Sequence, residues 1–374
     1  MNLETLLAPF SELLVHFTFG NAIMIAVGLV LLYLAIAKEY EPVLLLPIGF
    51  GCILANLGMA ATDTGTGFLS VLYRAGIKTE IFPLLIFVGV GGMIDFSPLL
   101  AQPRMVLLGA AGQFGIYGTL ILATLLGFSL PEAASIGVIG AIDGPTAIFV
   151  AGKLAPHMLA PIAVAAYSYM SLIPIIQPPI MKALTTRKER LIRMEYTPRE
   201  VSKEIRIIFP IIVTISISLL APDAAPLIAS LMLGNFLKES GVVDRLNKSA
   251  QNEIINVATL FLGLTIGATM TAESFLRADT LMILALGLFA FVLDTIAGLM
   301  FGKLMSFVSG GKINPLIGAC GISAFPMAGR LTAKMAQDED FENFILMHAM
   351  GSNTAGQLGS VVAGGLLLTL VLAI

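Results

Sequence analysis

The chain has 374 residues, of which 57% are hydrophobic and only 12% charged, with a formal net charge of −3. A mean hydropathy of +0.93, and a charged content about half the roughly 25% of soluble domains, mark an integral membrane protein. They exclude a soluble enzyme, and the absence of a basic excess excludes a nucleic-acid binder. Two cysteines, Cys52 and Cys320, lack CxxC spacing, and His16, His157 and His348 are scattered, so neither a disulfide framework nor a zinc site is indicated.

In chain order, residues 1–18 carry Glu4 and Glu12 with Leu3, Leu6, Leu7, Phe10, Leu13, Leu14 and Phe17 at helical spacing and no basic leader. They read as a retained interfacial amphipathic helix. Apolar segments follow at 19–37, 42–59, 81–101, 105–130, 134–152 and 158–181, forming a first membrane unit over 19–181. Charge-free runs such as Phe17–Ala37 and Met105–Pro131 meet the roughly 20 residues a spanning helix needs. Residues 182–206 then break the pattern: Lys182, Arg187, Lys188, Arg190, Arg193, Arg199, Lys203 and Arg206 face Glu189, Glu195, Glu200 and Glu204. The positive-inside rule makes this linker cytoplasmic. A second membrane unit over 207–374 has segments near 207–221, 224–237, 254–272, 280–308, 313–329 and 343–373. Several are short or Gly/Pro-interrupted, which predicts an all-α polytopic protein of about ten or eleven helical segments.

The halves resemble each other. Ile136-Gly-Val-Ile-Gly140 with Pro145, Ala147 and Lys153 matches Ile317-Gly-Ala-Cys-Gly321 with Pro326, Ala328 and Lys334 at one offset of 181 (317 − 136). Pro47, Leu54 and Asn56 match Pro226, Leu233 and Asn235 at 179 (226 − 47). Shared punctuators favour a duplication over chance similarity of Gly-rich apolar sequence. Interrupted segments in corresponding positions of two halves point to a midplane binding site.

Asp143 lies in such an interruption, Gly140-Ala-Ile-Asp-Gly-Pro-Thr146. A carboxylate at that depth costs about 2.5–3.5 kcal/mol on the mildest insertion scale, so an ion or proton pathway is the default reading. Beside it stand Thr146, Tyr167-Ser-Tyr169 and Gln177. The second half offers Asn314, Ser323 and Arg330, and Gly351-Ser-Asn-Thr-Ala-Gly-Gln-Leu-Gly-Ser360 opens the last segment. One carboxylate with hydroxyl, amide and backbone oxygens is a hard-ligand set that suits Na⁺. Taken alone, Thr146, Gln177 and Ser360 read rather as packing residues. Tyr167 and Tyr169 read equally as interfacial anchors, and Arg330 as a snorkelling cation or an anion clamp. Asp95, Glu273 and Asp294 are weaker acid candidates, set toward segment ends or outside a broken helix. No phosphate-binding loop, dinucleotide fingerprint, nucleophile elbow or zinc spacing is present.

Gly140-AIDGPT-Ala147, Tyr167-SYMSLIPIIQPPIM-Lys182, Asn314-PLIGACGISAFPMAGR-Leu331 and Asn353-TAGQLGSVVAGG-Leu366 resemble the membrane β subunit of the sodium-pumping, biotin-dependent decarboxylases, which serve oxaloacetate, methylmalonyl-CoA and glutaconyl-CoA. The resemblance implies two inverted repeats with discontinuous helices. It implies decarboxylation of carboxybiotin that consumes a proton and drives Na⁺ export across the inner membrane. Biotin would be carried by a partner subunit, within a complex of biotin-carrier protein, carboxyltransferase subunit and small single-span membrane subunits, oligomeric in the membrane. Position by position it implies catalytic roles for Asp143, Tyr169, Ser323 and Arg330, with Arg330 on carboxybiotin, and Na⁺ contacts from Asp143, Asn353, Asn314, Gly318 and Ser323. The rival readings are a free-standing secondary transporter, either a Na⁺/H⁺ antiporter or a Na⁺-coupled organic-anion carrier, and a purely structural membrane anchor.

Overall fold

The computed structural model describes residues 17–62, 64–195 and 200–374. The helix expected over 1–18 therefore lies outside the described residues except for Phe17 and Thr18. Thr18 caps the first helix, α1 (Phe19–Ala37), through a reciprocal box with Asn21 that satisfies the orphan N–H groups of the first turn. The other principal helices are α2 (Pro42–Leu54), α3 (Ile81–Met93), α4 (Met105–Ala111), α5 (Phe114–Leu125), α6 (Leu130–Gly137), α7 (Gly144–Leu154), α8 (Leu159–Leu184), α9 (Lys203–Leu220), α10 (Ala225–Ser240), α11 (Ile255–Ala268), α12 (Ala278–Val308), α13 (Met327–Glu339) and α14 (Leu346–Leu372).

No strand occurs among the described residues, and the chain is an all-α polytopic membrane protein. Among the described residues five helical stretches are long and apolar enough to cross a membrane, namely Phe19–Ala37, Pro42–Met59, Met105–Leu125, Ala278–Val308 and Leu346–Leu372. The number rises to seven if Phe68–Ile77 with Ile81–Met93, bent by 59°, and Pro156–Met170 with Leu172–Leu184, bent by 62°, each cross once. Pro174, Pro178 and Pro179 lie in the second of these. The remaining helical segments fall short of that length and apolarity for physical reasons. Helix α9 carries Lys203, Glu204 and Arg206 in its first turn, α10 and α11 have 16 and 14 residues, and two segments are broken in the middle. The boundaries of the basic linker shift as well, because α8 runs on to Leu184 and α9 begins at Lys203.

The two halves exchange partners. Helix α2 of the first half packs against α11 of the second, while α10 of the second packs against α3 of the first. The asparagines matched in sequence do the same work in each pair. Asn56 donates its amide to the Met270 carbonyl at 2.8 Å and to Cys52 at 2.9 Å; Asn235 donates to Ile94 at 3.1 Å and to Gly91 at 3.4 Å. Each closes a free helix-end carbonyl that water cannot reach inside a bilayer.

Two further segments are broken, and both breaks pack against α12. In the first half, α6 tightens into a 3₁₀ turn over Val138–Ala141, Ile142 turns left-handed at φ 53°, and α7 restarts with Asp143 as its N-cap. A β-branched residue with positive φ is strained by about 1–3 kcal/mol and persists only where its surroundings dictate it. In the second half, a 3₁₀ turn at Pro315–Cys320 leads through a cis Phe325–Pro326 peptide into α13. The breaks touch: Ser323 donates both its N–H (3.2 Å) and its hydroxyl (2.7 Å) to the Ala141 carbonyl.

Candidate functional site

Asp143 is buried, with 5% of its surface exposed. The sequence folds this way locally because Gly144 and Pro145 open α7: Pro145 has no N–H to offer, and Gly144 lets the Tyr167 ring lie directly on the backbone where a Cβ would collide with it. Asp143 Oδ1 accepts the Thr146 N–H at 3.3 Å. Its Oδ2 accepts the Gln357 amide at 3.0 Å and the Ser360 hydroxyl at 2.8 Å, both from α14. The carboxylate thus sits at a helix N-terminus, the favourable end of the peptide dipole, and two neutral side chains of another helix share one oxygen. Ser360 Oγ also lies 2.9 Å from the Gln357 carbonyl, giving the hydroxyl a second acceptor.

A cavity of about 310 Å³ opens onto Asp143. It lies where α7, α8 and α14 meet α2, α3 and α11, and its polar lining includes Tyr167, Asn256, Thr259, Ser323 and Gln357. Among the described residues no three His, Cys, Asp or Glu side chains gather as a transition-metal site would require. The chemistry on offer is that of carboxylate and neutral oxygens.

The structure brings Asp143 and Ser323 to one cavity and leaves the other expected residues elsewhere. Asn353, one turn before Gln357, is fully buried but donates to the Ile322 carbonyl at 2.8 Å and to Cys320 at 3.3 Å, while its oxygen accepts the Gly329 N–H at 3.4 Å. It braces the second break. Asn314 donates to the linker carbonyls of Arg190 (3.0 Å) and Ile192 (2.9 Å) and caps its own turn at Leu316. Gly318 is a crossing point: a Cβ there would run into the Gly298 carbonyl of α12. Tyr169 donates its hydroxyl to the Leu284 carbonyl of α12, so it is Tyr167, two residues earlier, that lines the cavity. Arg330 is exposed in the first turn of α13, without an ion pair among the described residues.

Sequence reasoning passed over Gln357 and set Ser360 and Thr146 aside as packing residues, yet all three contact Asp143. A signal existed: Asn353, Gln357 and Ser360, at steps of four and three, lie on one face of α14. Gln177, the third such residue, does pack, its amide donating to the Ala319 carbonyl at 3.0 Å. Asp294, expected outside any broken-helix context, is buried in the middle of α12 and accepts the Gly115 N–H at the start of α5. It serves as a cap supplied from a neighbouring helix.

Five to seven potential crossings among the described residues, two broken segments in contact, and a buried carboxylate at a polar cavity between helices define a polytopic membrane protein of the ion-transporting class. Residues 20–371 match the family described as the Na⁺-transporting oxaloacetate decarboxylase beta subunit. The chain is 56% identical to the methylmalonyl-CoA decarboxylase subunit beta of Veillonella parvula, over 95% of this chain and 94% of the relative. It is 54% identical to the glutaconyl-CoA decarboxylase subunit beta of Acidaminococcus fermentans, over 96% and 95%. To the oxaloacetate decarboxylase beta chain of Klebsiella pneumoniae it is 48% identical, over 96% and 97%. The chain belongs to this family of sodium-transporting decarboxylase β subunits, as the motifs implied, and is a membrane subunit of a multi-subunit sodium pump. The reading as a free-standing secondary transporter is not favoured.

Proposed function

We propose that this chain decarboxylates carboxybiotin presented by a biotin-carrier subunit and couples that step to Na⁺ export through Asp143. The observation that carries the reading is the Asp143 carboxylate, buried at a polar cavity and held by Gln357, Ser360 and the Thr146 N–H. One carboxylate holds Na⁺ only when ionised and a proton only when neutral, so a single site exchanges the two. The surrounding groups suit both states. With Na⁺ bound, Gln357 can present its amide oxygen in place of its nitrogen, and Ser360 can donate to the Gln357 carbonyl and turn a lone pair toward the ion. Loss of CO₂ from carboxybiotin breaks the N–C bond, leaves its electron pair on the ring nitrogen and takes up one proton.

Arg330 fits as the residue that receives the carboxylate, because its planar guanidinium is exposed and uncommitted among the described side chains. Helix α13 runs from the break to the linker, which docks on its far end through Arg190–Glu339 (2.7 Å) and Arg193–Asp340 (2.6 Å). By helix rise Arg330 lies about 13 Å from that end. We place the linker on the cytoplasmic face of the inner membrane, the side on which a carrier and a carboxyltransferase subunit work, with small single-span subunits completing an oligomeric complex. The named relatives act on three different acids, which supports a β subunit that handles the shared carrier and not the acid itself.

Purification of the tagged chain from its native membrane tests the reading. The expected result is copurification of a biotinylated protein and Na⁺-stimulated CO₂ release; a chain that moves Na⁺ in vesicles with no biotinylated partner would overturn it.

A further inference from the structure

The cavity over Asp143 contains a second carboxylate that the mechanism above does not use. Glu41 lies in the short turn between α1 and α2, immediately before Pro42, with its backbone left-handed at φ 36°. A non-glycine residue keeps such a conformation only where its surroundings impose it. Its side chain forms no capping hydrogen bond to α2 and has no ion-pair or hydrogen-bond partner among the described residues. Glu80, by contrast, pairs with Lys153 at 3.6 Å, and Glu189 with Lys303 at 3.2 Å. Glu41 instead lines the same cavity as Asp143 and Tyr167, and both carboxylates act electrostatically on the Tyr167 hydroxyl. Burial pushes the Glu41 carboxyl above the ordinary glutamate value, with no cation among the described residues to offset it.

The lining is uniform in sign. Among the described residues it holds two carboxylates, the neutral polar groups of Tyr167, Gln251, Asn256, Thr259, Ser323 and Gln357, and no Lys, Arg or His. A low-dielectric cleft lined by one sign of charge concentrates counter-ions. Exposure also falls along it, from Asn256, which is exposed, and Glu41, which is partly so, to Asp143 at 5%. Glu41 therefore stands toward the mouth and Asp143 at the floor.

We propose that Glu41 is the entry carboxylate of this chamber, which captures Na⁺ at the mouth with the amides of Asn256 and Gln251 and passes it to Asp143. The proposal rests on the reading of Asp143 as the exchange site. A purely structural role is disfavoured because the carboxylate bonds to none of the described residues.

The test is Na⁺ titration of CO₂ release by the full complex, at low and high ionic strength, for wild type, Glu41→Gln, Glu41→Asp, Asn256→Leu and Asp143→Asn. Glu41→Gln is expected to raise the half-saturating Na⁺ concentration by about 3- to 10-fold, the effect of one unit charge across roughly a nanometre of partly hydrated cavity. The maximal rate at saturating Na⁺ is expected to persist, and the salt sensitivity of half-saturation to shrink. Glu41→Asp should restore most of the affinity, and Asn256→Leu should shift it in the same direction from a different helix. Unchanged half-saturation in both Glu41→Gln and Asn256→Leu, or a lost maximal rate with unchanged half-saturation, overturns the entry role. If Asp143→Asn removes the Na⁺ response while Glu41→Gln does nothing, only this inference fails; if Asp143→Asn leaves the response intact, the exchange-site reading fails and the entry role with it.

Discussion

Replacing Gln357 by Leu tests whether α14 supplies the contacts that tune Asp143. The change keeps the volume nearly constant but removes the amide that stands 3.0 Å from Asp143 Oδ2. Hydrogen bonds to charged groups are worth about 1.5–3 kcal/mol, and about 1.4 kcal/mol is a factor of ten in affinity. Water already able to enter the adjoining cavity replaces part of the lost hydrogen bond, which places the expected weakening of Na⁺ affinity near the lower bound, about 10-fold. Ser360→Ala, deleting the 2.8 Å partner of the same oxygen, should act similarly. The two effects should not multiply, because both side chains address Oδ2 and the Ser360 hydroxyl also reaches the Gln357 carbonyl; a coupling of about 0.5–3 kcal/mol is the range for such neighbours. The assay is half-saturating Na⁺ in CO₂ release by the purified complex for wild type, each single variant and the double variant. Unchanged half-saturation in both single variants would refute the assignment, and strict multiplication in the double would refute the shared oxygen.

Further outcomes follow from the geometry. Gly318→Ala should lower the thermal midpoint, since its Cβ collides with the Gly298 carbonyl and overpacking costs about 1–3 kcal/mol; lost Na⁺ affinity at wild-type stability would instead make Gly318 a ligand position. Asn314→Ala and Arg190→Ala should each make the linker more sensitive to protease, because Asn314 and Asn343 hold the Arg190 carbonyl, each at 3.0 Å, and the Arg190 side chain holds Glu339; resistance equal to wild type would contradict this. Arg190 holds the Glu339 carboxyl below its ordinary value of 4.5, and Arg193 does the same for Asp340 relative to 3.8. Their contribution to linker docking is therefore complete above those ordinary values and is lost as the pH falls through the depressed ones, which limited proteolysis across the acid range would show. Arg330→Lys keeps the charge but loses the planar fork, so carboxybiotin turnover should fall more than Na⁺ affinity; the reverse order would make Arg330 a gating or structural residue.

Much of the architecture was legible in the residues. Gly144 and Pro145, and Pro315 with its following glycines, mark the two breaks because helix-breaking residues inside apolar runs leave little choice of where the backbone opens. Asn56 and Asn235, matched by the offset, each donate to a backbone carbonyl in the other half of the chain. The rest of the site was less visible because its contacts come from helices that are not broken. Gln357 and Ser360 sit in the uninterrupted α14, where small polar residues ordinarily pack, and only their three-residue spacing distinguished them. Glu41 drew no reading from the sequence, because its inward position follows from a left-handed backbone that no sequence pattern announces. Asn314 and Asn353 direct their amides to backbone carbonyls of the linker and of the second break, partners that sequence spacing does not announce. The Asn353 helix reaches Asp143 one turn later than the sequence suggested.

The most direct test of Asp143 as the exchange site is ²²Na⁺ uptake into inverted vesicles, followed together with CO₂ release, for Asp143→Asn and Asp143→Glu. The account predicts that Asp143→Asn loses both activities together in a complex that still assembles, whereas Asp143→Glu retains both with a shifted Na⁺ dependence. Sodium uptake at the wild-type rate in Asp143→Asn would contradict it.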